Sequence, residues 1–311
     1  MITRRHLRLD TAIRYSWKNI LFSLICSITA YVVHIVIGWS EITIPLGVVG
    51  VLGTALSIIL GFRNSSAYDR WWEARKIWGG VVNESRTFTR QGLTIVDPKN
   101  VPEELWKKCT RIVHYQIAWV NALRLQLREQ KDEALWKKEV GYYLRKKDFE
   151  QIMQKTNKVT QIAMLNGYAI KELNAHEIMD IYSYIQMDDT LTRLTDLQGR
   201  AERIKATPLP RPYDYYTLAF LNTFIFFLPL ALIDTFISIS APLLVIPITI
   251  IIGWIFYQIY VLGLSMSSPF QNWKTDVPLS AISTVIEIDL KEIIEDLDVP
   301  DPLKEHGGAL M

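Results

Sequence analysis

Long stretches of this chain carry no charge, and that distribution limits the possible fold more than any other feature of the sequence. Asn19 to Ser40 holds 22 residues without Asp, Glu, Lys or Arg, flanked by Lys18 and Glu41. As a helix it measures about 33 Å at ~1.5 Å per residue, enough to cross the roughly 30 Å hydrocarbon layer of a bilayer. Ile42 to Phe62 adds 21 uncharged residues, Tyr215 to Ile233 adds 19, and Thr235 to Trp273 adds 39 broken by Pro242. Read as helices these give four membrane spans, at 19–40, 42–62, about 214–235 and about 243–266. Bulk composition hides the pattern: the chain is 50% hydrophobic, with a mean hydropathy of +0.13, near the soluble average.

The connections define two hairpins. Only a very short turn around Glu41 separates the first two spans, and Asp234 marks the turn of the second pair. Gly47, Gly50 and Gly53 recur every three residues, a small-residue spacing that lets membrane helices approach closely. Pro45 sits at a helix start, where proline is tolerated, whereas Pro229 and Pro247 are expected to kink their helices.

Residues 63–212 are rich in Arg, Lys, Glu, Asp and Gln, with apolar residues at helical spacing, as in Trp106, Val113, Ile117, Leu123 and Leu127. Asp97-Pro98 and Asn100-Val101-Pro102 mark a loop, and Pro102-Glu103-Glu104 opens a helix. Thr207-Pro208-Leu209-Pro210-Arg211-Pro212 ends the domain, because closely spaced prolines forbid a helix. Leu279 to Ile294 reads as a short amphipathic helix, followed by an acidic tail from Asp296. The organisation expected is all-α: a basic N-terminal segment (1–18), a membrane hairpin (19–62), a helical domain (63–212), a second hairpin (213–267) and a polar C-terminal segment (268–311). Arg4, Arg5, Arg8, Arg14 and Lys18 precede the first span and Arg63, Arg70, Arg75 and Lys76 follow the second, while the outer turns carry only Glu41 and Asp234. The positive-inside rule then places both termini and the helical domain in the cytoplasm. A multi-pass protein of a plasma membrane, the inner membrane of a bacterium, is expected. The first apolar stretch is too long for a signal core, so no cleavable signal is expected.

Catalysis finds no support. His6, His34, His114, His176 and His306 are scattered without metal-ligand spacing, and no phosphate-binding loop or nucleophile elbow occurs. Cys26 lies in an apolar run and Cys109 in a soluble helix, which fits two reduced thiols. A net charge of +2 argues against nucleic acid as a partner. No metal and no cofactor are expected.

The densest local signal is the junction after the second span, GFRNSSAYDRWWEARKIWG from Gly61 to Gly79. Here a membrane helix continues straight into polar sequence, and Trp71, Arg75 and Trp78 share one face. This string resembles the signature that follows the second membrane helix of the bestrophins, in their bacterial branch. Two further stretches resemble the family in the same order: ATPLPRPYDYYTLAFLNTFIFFLPLAL at the entry to the third span, and SSPFQNWKTDVPLSAISTVIEIDLKEI after the fourth. Together they cover roughly residues 10–295.

The resemblance implies a homopentameric ion channel with four membrane helices per subunit and a helical cytosolic body. One helix from each subunit would line a central pore whose neck, carried over by motif, is Thr54, Ile58 and Phe62. Their i, i+4, i+8 spacing puts them on one helix face, although apolar residues on a membrane helix more often face lipid or a neighbouring helix. A second constriction at the cytosolic mouth falls near Ile185. Animal members carry an acidic run after their Pro-Phe; here the run reads Pro269-Phe270-Gln271-Asn272-Trp273-Lys274-Thr275-Asp276, too poor in carboxylates for calcium. The family default is a chloride or other anion channel for small inorganic ions, and Arg63, unless neutralised by Asp69 or Glu73, would attract anions. Asp188 and Asp189, beside that cytosolic mouth, would favour cations if they face the pore, so a monovalent cation channel competes. A non-conducting scaffold or receptor is a further alternative, which predicts an exposed apolar patch on the cytosolic helices.

Overall fold

The computed structural model describes residues 9–95 and 102–305. The basic run Arg4, Arg5, His6 and Arg8, the loop residues Asp97 to Val101, and His306 lie outside them. The described residues contain helices and connections but no strand. In order they are α1 (Leu9–Tyr31), α2 (Leu46–Thr94), α3 (Glu103–Leu127), α4 (Glu133–Glu139), α5 (Lys146–Met153), α6 (Lys158–Ala175), α7 (Ile181–Ala206), α8 (Arg211–Ser238), α9 (Val245–Met266) and α10 (Leu279–Ile293).

Among the described residues, four stretches are long and apolar enough to cross a membrane: Ile13–Val36, Leu46–Thr94, Arg211–Ser238 and Pro242–Met266. The first ends in a π-helical turn, Val32–Val36. The link to α2 is longer than the tight turn expected around Glu41. Gly38 adopts φ +80°, a left-handed conformation open to glycine, and Pro45 immediately precedes α2. Residues 37–45 therefore stay outside the helices, held in part by buried His34, whose Nε2 lies 2.7 Å from the Ile42 carbonyl oxygen. Pro229 lies inside α8, but Pro247 falls in the first turn of α9. N–H groups there have no intrahelical partner, so Pro247 belongs to the start of that helix and breaks no bond.

The described chain divides into two compact units. One takes the residues up to Trp71 together with Pro208–Ser268; the other takes Trp72–Thr207 and the chain from Pro269. α2 runs on past the border expected at Arg63 as one helix of 49 residues and is divided between the two units after Trp71.

In the first unit, α1 packs on α8 and α9, and α8 on α9. Val49, Leu56 and Leu60 of α2 join Leu221, Phe224, Ile225 and Leu228 of α8 and Tyr260 of α9 in one buried cluster. In a membrane the gain comes from close packing, because lipid tails are as apolar as leucine. Gly53 serves that contact: a Cβ there would lie 3.0 Å from the Phe224 ring, whereas Gly47 and Gly50 meet nothing within 4 Å.

The second unit is built around α3, whose residues Ile112, Val113, Ile117, Trp119, Val120 and Leu123 are all buried. It packs on α6, α7 and α10. Ala74, Ile77, Trp78, Val81 and Phe88 place the later part of α2 in the same core. Gln116 donates to Ser85 Oγ at 2.9 Å and accepts from Asn166 at 3.3 Å, satisfying polar groups that burial would otherwise penalise. Surface pairs add Arg200 to Glu73 at 2.6 Å and Arg193 to Glu84 at 3.0 Å.

The polar C-terminal segment belongs to this second unit. Buried Leu279, Ile286 and Leu290 of α10 account for that. Lys291, 2% exposed, donates to the Asp298 carbonyl at 2.7 Å, lies 3.2 Å from Glu287, and sits 5.2 Å from the Tyr143 ring centre. Tyr143 OH donates to Glu287 at 2.5 Å.

Candidate functional site

The residues expected to form a neck sit on α2, and that helix has two distinct faces. Val49, Leu56, Leu60, Arg63 and Ala67 are buried. At about 100° per residue these five fall within one narrow sector. Thr54, Ile58 and Phe62 fall on the other side and are exposed within the subunit, Ile58 by 55% and Phe62 by 68%. Thr54 donates its hydroxyl to its own helix at the Gly50 carbonyl, 2.9 Å away, so the stripe offers an ion a hydroxyl oxygen and two apolar side chains. Gly47, Gly50 and Gly61 have open space around them.

Arg63 departs from the expectation of a charge facing permeating ions, neutralised if at all by Asp69 or Glu73. It is 0% exposed and paired elsewhere. Its Nε donates to Asp214 Oδ1 at 2.7 Å and its Nη2 lies 2.6 Å from the same oxygen. Nη1 donates to the Tyr260 carbonyl at 2.9 Å, and the guanidinium lies 4.6 Å from the Tyr260 ring centre. Glu73 instead holds Arg200. Sequence reasoning misses both Asp214 and Tyr260. Asp214 has a readable signal, as a lone acid at the entry of an otherwise uncharged span; Tyr260 has none, because it engages largely through its backbone and ring face.

Ile185 is 56% exposed near the start of α7. Asp188 and Asp189 are exposed on the same helix, and Asp189 pairs with Arg193 one turn on, which offsets its charge. The described residues contain no group of three or more His, Cys, Asp or Glu placed to hold a metal ion. In the Pro269–Asp276 loop, Asp276 is buried and its Oδ2 accepts the Trp273 N–H at 3.1 Å. Burial pushes its carboxyl above the usual range, against the pull of the backbone N–H groups of Trp273, Gln271 and Asn272. Nearby, Arg128 donates to Ser280 Oγ at 2.7 Å, and Arg124 pairs with Glu139. Burial lowers the Arg124 pKa to about 10. The loop is thus furnished with cationic and backbone donors where a calcium ion would require oxygen acceptors.

Residues 9–292 match the family model of the bacterial and fungal bestrophins. A protein of Escherichia coli K12 named voltage-dependent anion channel-forming protein YneE is 29% identical over 253 residues, covering 80% of this chain and 77% of that protein. The voltage-dependent anion channel-forming protein RSc3414 of Ralstonia nicotianae is 28% identical over 286 residues, covering 90% of this chain and 88% of its own. Among solved structures, a bacterial bestrophin homolog from Klebsiella pneumoniae superposes with a TM-score of 0.80 at 27% identity, covering 89% of this chain and 98% of that one.

Proposed function

The chain belongs to the bacterial and fungal bestrophin family, and from that premise we propose that it assembles as a homopentamer conducting small monovalent anions, with Thr54, Ile58 and Phe62 lining the neck. It is a multi-pass membrane protein. The reading places it in the inner membrane of a bacterium with both termini in the cytoplasm, in line with the lysines and arginines flanking the spans. Its relatives' names support the anion.

The observation that carries the reading is the division of α2. Val49, Leu56, Leu60, Arg63 and Ala67 are buried along one face, and the opposite face, with Thr54, Ile58 and Phe62, is exposed within the subunit. Turned toward its own copies, that stripe makes a hydrophobic constriction. Ile58 and Phe62 give an ion no replacement for its water, so the neck gates by dewetting or by small helix rotations. Ile185 is assigned to a second, cytosolic constriction.

A cation channel of the same fold is the second reading. Arg63 is neutralised by Asp214, and Asp188 is an exposed acid close in sequence to Ile185. The scaffold alternative predicts an exposed apolar patch, and Met164, Tyr168, Ile181 and Tyr182 are indeed exposed; contacts between subunits would cover such residues equally well.

Purified protein in a planar bilayer under a salt gradient decides among the three. A reversal potential near that of chloride is expected; one near that of the cation selects the second reading, and silence across voltages selects the scaffold. The protein mass of the detergent-solubilised particle, with bound detergent subtracted, should be five times that of the chain.

A further inference from the structure

A fully buried arginine in a membrane-spanning helix is costly unless it is paired, and such residues usually serve function. Arg63 meets that condition with an unusually complete set of partners, drawn from two other helices. From α8 comes Asp214, in the first turn, where the helix dipole favours an anion. From α9 comes the Tyr260 carbonyl at 2.9 Å, with the Tyr260 ring beneath the guanidinium. The next residue of α2 repeats the contact, since Asn64 Nδ2 donates to the Ile259 carbonyl at 2.9 Å. The sequence of α9 makes room for both: a Cβ on Gly263 would collide with the Asn64 amide and lie 2.7 Å from Arg63 Nη1.

Two adjacent residues of one helix, each bonded to backbone on a second helix and one also to a third, resist rotation about the α2 axis at that level. Phe62 is the neighbouring residue, about 100° round the helix. Its direction is therefore set by the clamp, because its own ring makes few contacts inside the subunit at 68% exposure.

We propose that Arg63, with Asp214 and Asn64, is a positioning device that sets the resting rotation of α2 and thereby aims Phe62 into the pore. It acts through Phe62 and carries no charge to the permeating ion. This rests on the assignment of the neck above, and the two fail in different ways.

The test is a double-mutant cycle on single-channel currents in symmetric potassium chloride, using full-length protein. Asp214→Asn keeps the shape and removes the charge; Phe62→Ala removes the ring. Asp214→Asn is expected to change conductance or open probability several-fold, with little further change when combined with Phe62→Ala, because both act on the same ring. Asp214→Glu should restore much of the wild-type current. A purely structural pair would give fewer channels and a lower melting temperature, with unaltered unitary current and a Phe62→Ala effect of undiminished size; that outcome overturns the proposal. An additive cycle also overturns it, as the signature of direct action on the ion. If Asp214→Asn yields no folded particle, Asn64→Ala, which removes only the α9 bond beside the clamp, takes its place in the cycle: non-additivity with Phe62→Ala supports the clamp and additivity overturns it. Wild-type protein that conducts nothing, or a Phe62→Ala channel identical to wild type, refutes the neck assignment itself and not the clamp alone.

Discussion

At the scale of single residues, placement decides role more than chemical type does. Ile58 and Phe62 differ from Leu56 and Leu60 chiefly in the direction they face on α2, yet the first pair is exposed and the second is core. Ile58→Ala or Phe62→Ala should therefore enlarge the neck without opening a cavity in the subunit. An increase in conductance or open probability of a few-fold is expected, with an unchanged melting temperature, and single-channel recording beside a thermal melt checks both. His114 carries a separate consequence for acid stability. Burial depresses its pKa below the ordinary 6.5, against the pull of Asp296 and with help from Lys291. The unfolded chain takes up that proton first. Stability contributed by neutral His114 is thus intact above about pH 6.5 and declines as the pH falls from there through the lowered folded value. His114→Gln should flatten the loss of melting temperature between about pH 7 and pH 5; an unchanged slope would show that other groups govern it.

At the scale of elements, α2 couples two environments in one unbroken helix. Its glycines are not equivalent. Gly53 makes a contact inside the subunit, so Gly53→Val should overpack the Phe224 contact and cost about 1–3 kcal/mol of stability, read as a lowered melting temperature of the purified protein. Gly50 faces open space in the isolated subunit, so Gly50→Leu should leave the subunit's own packing intact. If copies meet at this face, the same substitution should reduce the fraction of assembled particles on a sizing column. Unimpaired assembly with Gly50→Leu would place that face away from the contacts between copies, toward the pore or toward lipid. Elsewhere α10 shows how an element finds its place: an apolar stripe brings it to α3, and buried Lys291, paired with Glu287 one turn back, ties the following residues down through the Asp298 carbonyl.

For the whole molecule, the family fold arrives with a loop after Phe270 that is poor in carboxylates. Its one carboxylate, Asp276, is buried and already engaged by backbone donors. Micromolar calcium is expected to leave currents unaltered, in contrast to the acidic run of animal members. A calcium-dependent rise in open probability, abolished by Asp276→Asn, would show that this loop rearranges to supply oxygens.

Much of this architecture is legible in the amino-acid sequence. Uncharged runs long enough to span a bilayer, prolines between Thr207 and Pro212, and the helical spacing of Trp106, Val113 and Ile117 point to an all-helical membrane protein, because charges are costly in hydrocarbon and a helix satisfies its own backbone polar groups there. The stripe Thr54, Ile58 and Phe62 follows from helical periodicity together with a family likeness. Tertiary structure alone decides the rest. Arg63 looks like a charge for ions in the sequence because its partner stands 151 positions away in the chain, and no local spacing reports a bond closed between distant helices. The division of α2 between the two units after Trp71, the single close contact among three evenly spaced glycines, and the seating of α10 have the same origin. Each depends on which surfaces meet, and surfaces meet only once the helices are packed.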